Sequence, residues 1–415
     1  MGRAALSAPG PVGLGNERWV VGLIGAGHFL SHFYLLALPP LFPRLKAEFG
    51  VSYIELGLAM TAYNLLGGLV QAPVGFLVDR FGPRKLLIWG LGLNALCILL
   101  MGFTDTYGLL LVLAVMAGLG NSVFHPADYA ILSGSIGAER LGKAFSAHTF
   151  SGFLGGACAP VAMLALAGWS DWRTALIAVG LIGLAVWAMV VLRRDVLQGE
   201  TRAEKDSDNE EPTTAKPKSS ALGLLLSPAV LLFLLFFILY GMAAGGLTAF
   251  TVSSLINLHG FGFEESSTAL TAYLFGLVGG ILLGGIIADR YKRHLLTAAV
   301  SLILAAGVVL VPAFFTLPAI AVIVVMAAVG FGMGAVLPSR DLMIRAMTPA
   351  GESGKVFGFI FVGYAIGSSL APILFGWMLD AGRPALVFMA ASGFALASLA
   401  AVVAGRFAAV RLRPH

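Results

Sequence analysis

Long apolar stretches, broken by short polar segments, fill almost the whole of this 415-residue chain. The stretches are about 20 residues or longer, the length that crosses the hydrocarbon core of a bilayer as a helix. They lie near 18–44, 54–78, 84–104, 108–134, 141–167, 172–193, 223–257, 266–289, 294–315, 318–345, 353–380 and 384–406. Lipid offers the backbone no hydrogen-bond partner, so each crossing must be a helix or part of a closed barrel. The stretches run continuously in Leu, Ala, Gly and Val and lack the alternation of barrel strands. The pattern therefore predicts an all-α integral membrane protein with 12 transmembrane helices.

One polar interruption is much longer than the rest: "RRDVLQGETRAEKDSDNEEPTTAKPKSS". It has too few large apolar residues to bury a core and reads as a linker. It divides the chain into an N-terminal tail (1–17), a first six-helix bundle (18–194), the linker (195–222), a second six-helix bundle (223–406) and a C-terminal tail (407–415). The halves repeat. "GLGNSVFHPADYAILSGSIGAERLGKAF" from Gly118 aligns without gaps on "GFGMGAVLPSRDLMIRAMTPAGESGKVF" from Gly330. Gly120 meets Gly332, Pro126 meets Pro338, Gly142 meets Gly354 and Lys143 meets Lys355. Farther on, Gly155 meets Gly367 and Pro160 meets Pro372, while Asp128 falls opposite Arg340.

Composition agrees: 58% of residues are hydrophobic and 11% charged, against about 25% charged in soluble domains. The net charge of +5 does not point to nucleic acid, because the bases sit in short loops beside the spans. Alternate loops are basic, with Arg80, Arg84 and Lys85, then Arg140 and Lys143, Arg193 and Arg194, Arg290, Lys292 and Arg293, and Lys355. The opposite loops hold only Arg44, Lys46, Arg173 and Arg383. The positive-inside rule then places both termini in the cytoplasm. Cys97 and Cys158 lie in separate apolar spans and read as small core residues. The first 16 residues lack the build of a cleavable signal peptide.

A second repeat sits in two basic loops: "GFLVDRFGPRK" after span two and "GGIIADRYKRH" after span eight. Gly75, Asp79, Arg80, Gly82, Arg84 and Lys85 resemble the loop signature of the major facilitator superfamily, G-x-x-x-D-R-x-G-R-K. The second copy keeps Gly285, Asp289 and Arg290 but has Tyr291 and Lys292 around the glycine position. The resemblance implies two pseudo-symmetric six-helix bundles around a central cavity, with transport by alternating access. It also implies that spans one, four, seven and ten line the cavity. The loop residues Gly75, Asp79, Arg80 and Arg84, and less strongly Asp289 and Arg290, would form a cytoplasmic network that holds one access state closed.

Ionisable residues at membrane depth are functional candidates, since exposing one to lipid costs about 2.5–3.5 kcal/mol or more. His28 and His32 of span one lie four apart and share a helix face. Asn121, His125 and Asp128 form a stripe on span four, and span five adds His148. Span ten carries Arg340, Asp341 and Arg345. We assign His28, His32, Asn121, His125 and Arg340 as candidate substrate ligands. Asp128, His125, His148 and Asp341 are candidates for proton coupling. The structural alternatives are an interhelical hydrogen bond for His148, a helical Asp341–Arg345 pair and an Asp128–Arg340 bridge between the bundles. Pro126 and Pro338 each remove a helix hydrogen bond and are expected to kink spans four and ten.

"GNSVFHPADYAILS", together with His28, resembles the fosmidomycin-resistance type of bacterial exporter. In that type an acidic residue tends to follow the first histidine by four positions; here that position is His32. If the acid belongs to the proton pathway, the coupling chemistry differs here. "SGFLGGACAP" also lacks the Gly-Pro pair of drug/proton antiporters. The guanidinium of Arg340 suits carboxylate, phosphonate or phosphate, and histidines around a wet cavity can couple protons to binding.

The expected function is proton-coupled secondary transport of a small organic anion or amphiphilic drug across a bacterial inner membrane, with export favoured. No nucleotide-binding motif, cofactor motif or nucleophile–base pair is evident, so neither a cofactor nor an enzymatic activity is expected. The expected partners are a small-molecule substrate, protons and the lipid bilayer, with no nucleic acid, and the chain is expected to be a monomer. Two alternatives stand beside this one. The first is a transition-metal or metal-chelate transporter using His28, His32, His125 and Asp128, since imidazole suits Zn, Cu, Fe and Ni. The second is a non-transporting sensor that keeps the fold.

Overall fold

The structure is a computed structural model that describes residues 14–197, 221–348 and 353–411. Most of the expected linker, both outermost ends and residues 349–352 lie outside the described residues. Every regular element within them is helical. The first half contains α1 (Leu14–Leu35), α2 (Phe42–Phe49), α3 (Tyr53–Leu69), α4 (Gln71–Phe81) and α5 (Pro83–Met101). It continues with α6 (Tyr107–Asn121), α7 (Phe124–Ser135), α8 (Ala138–Trp169) and α9 (Trp172–Leu192). The second half begins with the short α10 (Ala221–Leu225), then α11 (Pro228–His259), α12 (Phe263–Tyr291) and α13 (His294–Val308). It ends with α14 (Val311–Phe314), α15 (Ala319–Met347), α16 (Ser353–Asp380) and α17 (Ala385–Arg411).

These helices make 12 crossings, because α3–α4, α6–α7 and α13–α14 are each one span in two pieces. The cause is local. Pro73, Pro126 and Pro312 have no N–H to give the carbonyl four residues earlier, and each break lies just before its proline. Pro338 lies inside an unbroken α15, as Pro160 and Pro372 lie inside α8 and α16. The first stretch, read as one span over 18–44, ends as a helix at Leu35. A 3-10 turn, Pro39–Leu41, then leads into the separate α2. At the far end α17 continues to Arg411, into the segment read as a tail.

The repeat seen in sequence recurs in the packing. A methyl group on Gly155 would come within 2.0 Å of the Phe29 carbonyl oxygen, and one on Gly367 equally close to that of Ile238. Gly118 and Gly330 likewise sit against the carbonyls of Tyr63 and Tyr273. In each half, glycine lets the same pair of helices touch backbone to backbone, the small-residue packing expected where lipid supplies no hydrophobic drive.

The halves meet along α3 against α16 and α8 against α12. One end of this seam is pinned by Asp380, the last residue of α16. Its Oδ1 and Oδ2 each accept a backbone N–H at the start of α3, from Tyr53 and Ile54, at 2.9 Å. Lys46 reaches the same carboxylate at 3.4 Å. Asn257 donates to the Tyr53 hydroxyl at 3.3 Å, and the Arg44 guanidinium lies over the Phe263 ring. The carboxylate caps the positive end of a helix belonging to the other half.

Candidate functional site

Between the halves lies a cavity of about 380 Å³, within the range of about 300–1,000 Å³ for small-molecule sites. The first half contributes His32 from α1 and His125 from α7; the second contributes Tyr240 from α11 and Arg340 from α15. Spans one, four, seven and ten thus reach it as expected. Met60, Phe153, Tyr273 and Tyr364 show that spans two, five, eight and eleven do as well.

Behind His32 and His125 the remaining polar groups converge. Asp128 is fully buried, and its Oδ2 lies 3.0 Å from His148 Nε2. The same oxygen is 3.7 Å from His28 Nδ1. The His28 and His148 rings stack at 3.6 Å between centroids. His28 also meets His32 at 4.7 Å and His125 at 5.0 Å, both edge to face. Four imidazoles and one carboxylate, from α1, α7 and α8, form a single contiguous group. Asp128 Oδ1 and the Nδ1 atoms of His28 and His148 have no hydrogen-bond partner. Buried groups of this kind are costly unless they share protons or carry a ligand. Gly152 makes the arrangement possible, because a Cβ there would lie 2.6 Å from His28 Nε2 and 3.0 Å from His32 Cδ2.

Across the cavity, the Arg340 Nε and Nη2 both lie 2.9 Å from Asp341 Oδ1. Its guanidinium carbon stands 4.3 Å from the Phe237 ring centroid, a cation–π distance. Two sequence alternatives are corrected here. Asp341 pairs with its neighbour Arg340, while Arg345 is exposed. Asp128 pairs with histidines of its own half, so no Asp128–Arg340 bridge joins the bundles.

Other candidates fall elsewhere. Asn121 does not line the cavity; its Oδ1 accepts from Asn94 Nδ2, which also donates to the Tyr63 hydroxyl. In the first Asp-Arg loop, Gly82 has φ +89° and ends α4. Lys292, its counterpart, keeps a left-handed φ of +48° without being glycine. Arg84 donates to the Arg194 carbonyl in the 3-10 turn after α9. Gly75 is half-buried, Arg80 and Arg290 are exposed, and the side chains of Asp79 and Asp289 lie outside the described residues. The metal alternative changes membership: nitrogens of His28, His125 and His148 lie within 4.8 Å of one another. Sequence reasoning left out Gly152, Phe237 and Phe361. The aromatic run "FLLFFILYG" was the available signal for Phe237, but it looks the same for a lipid-facing ring.

A model of the Major Facilitator Superfamily matches residues 24–333 and 254–414, overlapping across the repeat. The chain belongs to the Major Facilitator Superfamily. As a superfamily member it is a multi-pass secondary transporter of small molecules and not an enzyme. It is 23% identical over 377 residues to the Fosmidomycin resistance protein of Escherichia coli (strain K12), covering 89% of this chain and 88% of the relative. It is 26% identical over 414 residues to the Probable sulfoacetate transporter SauU of Cupriavidus necator, covering 92% and 93%. A solved bacterial homologue of the human lysosomal transporter Spinster, inward-facing and unoccupied, superposes with a TM-score of 0.76. That structure is 16% identical and matched over 96% of both chains, so the superfamily fold is shared.

Proposed function

We propose that this superfamily member is a proton-coupled exporter of a small organic anion with an apolar body, working as a monomer in a bacterial inner membrane with both termini cytoplasmic. One observation carries the reading: a single cavity joins Arg340 of one half to His32 and His125 of the other, and the Asp128 group lies directly behind those histidines. Arg340 is already paired with Asp341, so a small inorganic anion gains little there. An amphiphile adds contact with apolar walls such as Leu35, Leu274 and Phe361. The names of relatives are consistent with an organic anionic cargo: fosmidomycin resistance and sulfoacetate.

Protons reach Asp128 and His148 from the cavity through His32 or His125 and then His28, which meets both and stacks on His148. The carboxylate and its imidazoles form one contiguous group. Loading that group from outside and unloading it inside, while the halves rock, exchanges protons for substrate. The Asp380 cap supports assigning this state as closed to the outside and approached from the cytoplasm.

Reconstitution into liposomes with an imposed pH gradient tests the proposal. Fosmidomycin and sulfonate or carboxylate anions should accelerate proton flux in the native protein. Arg340→Gln should weaken anion binding about tenfold or more, the loss of a charged hydrogen-bond partner. Equal affinity in the variant removes Arg340 from the site, and flux indifferent to the gradient rejects proton coupling. A transition-metal cargo is favoured separately by the close nitrogens of His28, His125 and His148. Calorimetry with Zn²⁺ distinguishes it: saturable micromolar binding, lost in His28→Ala and His125→Ala, supports metal transport, and no binding rejects it.

A further inference from the structure

Two grooves on the outer face of the second half are unconnected with the central cavity. The first, of about 640 Å³, lies between α13, α15 and α17. Lys292, Arg293, His294 and Arg406 line its mouth, and Leu295, Val403 and Phe407 form part of its walls. The second, of about 720 Å³, lies on the other side of α13 against α12 and α15. Its walls are almost wholly apolar, running from Leu296 through Val300 and Leu304 to Val308. The grooves meet at Arg293 and Leu296, which line both.

Among the described residues, no carboxylate lies within ion-pair distance of Lys292, Arg293 or Arg406. The positive end of α13 opens at the same place: its N-cap, Arg293, makes no side-chain capping bond. The buried Nδ1 of His294 has no partner either. Cations, uncapped N–H groups and an unpartnered imidazole nitrogen thus surround one point, where an anion is favoured. From that point the apolar groove follows α13 for 12 residues, about 18 Å at 1.5 Å per residue. One leaflet of hydrocarbon is about 15 Å deep. Leu296 and Leu304 turn outward along it, more than half exposed.

We propose that this is a binding site for an anionic phospholipid, with its headgroup phosphate among Lys292, Arg293 and Arg406 and an acyl chain along α13. Free phosphate would use the cations alone and leave the groove empty. A zwitterionic lipid would fill the groove but place a fourth cation beside Lys292, Arg293 and Arg406.

The test is thermal unfolding of the full chain in neutral detergent, titrated with phosphatidylglycerol, phosphatidylcholine or sodium phosphate. Phosphatidylglycerol should raise the midpoint saturably, and the other two should not. Each cation near a membrane surface contributes about a 5-fold change in affinity, so Arg406→Gln should raise half-saturation about 5-fold and the Lys292→Gln/Arg293→Gln/Arg406→Gln variant about 100-fold. Leu304→Trp, which fills the groove and keeps every charge, should also weaken the response. Equal responses to the two lipids, a phosphate response matching that to phosphatidylglycerol, or unchanged half-saturation in Arg406→Gln each overturns the proposal. If the triple variant does not fold, Arg406→Gln and Leu304→Trp decide it.

Discussion

Asp128 is the residue on which the coupling proposal turns. It has no exposed surface and touches two imidazoles, and one of its oxygens is unpartnered. Asn has nearly the same shape and can still bond His148, but it cannot ionise. Asp128→Asn should therefore fold and insert normally, while the response of flux to a pH gradient falls by about 5- to 150-fold, the usual span of coupling between two ligands. Retention of the full response in proteoliposomes would sink the role given to Asp128. Gly152 acts by absence: His28 and His32 occupy the space of its missing side chain. Gly152→Ala should lower stability by about 1–3 kcal/mol through overpacking and displace the imidazoles, which thermal unfolding and flux would both register. Full activity at native stability would show that the rings have room to spare.

At the scale of the element, the contact between α16 and α3 stands out because a carboxylate of one half caps a helix of the other. Removing a helix cap costs about 0.5–2 kcal/mol. Asp380→Ala should consequently shift the balance of access states toward opening at this end, about 5-fold for 1 kcal/mol. Spin labels at Glu48 and Arg383 would report a larger population at long distance. An unaltered distance distribution would mean that Asp380 supports local folding only. Lys46→Gln should do much less, because its ion pair is long and partly exposed. The three broken spans follow the same local logic, with each break set by a proline that cannot serve the preceding turn. Pro338 shows its limit: α15 continues through it as one helix.

Over the whole molecule, the two halves repeat one packing scheme with different chemistry at its centre. Gly155 and Gly367 fill equivalent roles against α1 and α11. Gly155→Val and Gly367→Val should destabilise to a similar degree, each by about 1–3 kcal/mol or more; a change tolerated at one site and disruptive at the other would show that the symmetry does not extend to load. At the centre the symmetry is broken. The first half carries the histidines and Asp128, whereas Arg340, which aligns with Asp128, lies on the second. Segregation of this kind lets the halves move apart while each keeps its own partners: Asp128 with His148, Arg340 with Asp341.

The number of crossings, the division into halves and their internal repeat were all legible in the amino-acid sequence. They depend on the length of apolar stretches and on the placement of Gly and Pro, which act locally. That His28, His125 and Asp128 fall within the long apolar helices was legible for the same reason. Which groups face one another was decided only by the tertiary structure. It brought His148 to Asp128, gave Asp341 to Arg340 in place of Arg345, and drew Asn121 away to Asn94. It also placed Asp380 on α3, more than 300 residues away in sequence. The physical reason is rotational. Spacing along a helix fixes which side chains share a face, but the direction in which that face points is set by close contact with its neighbours.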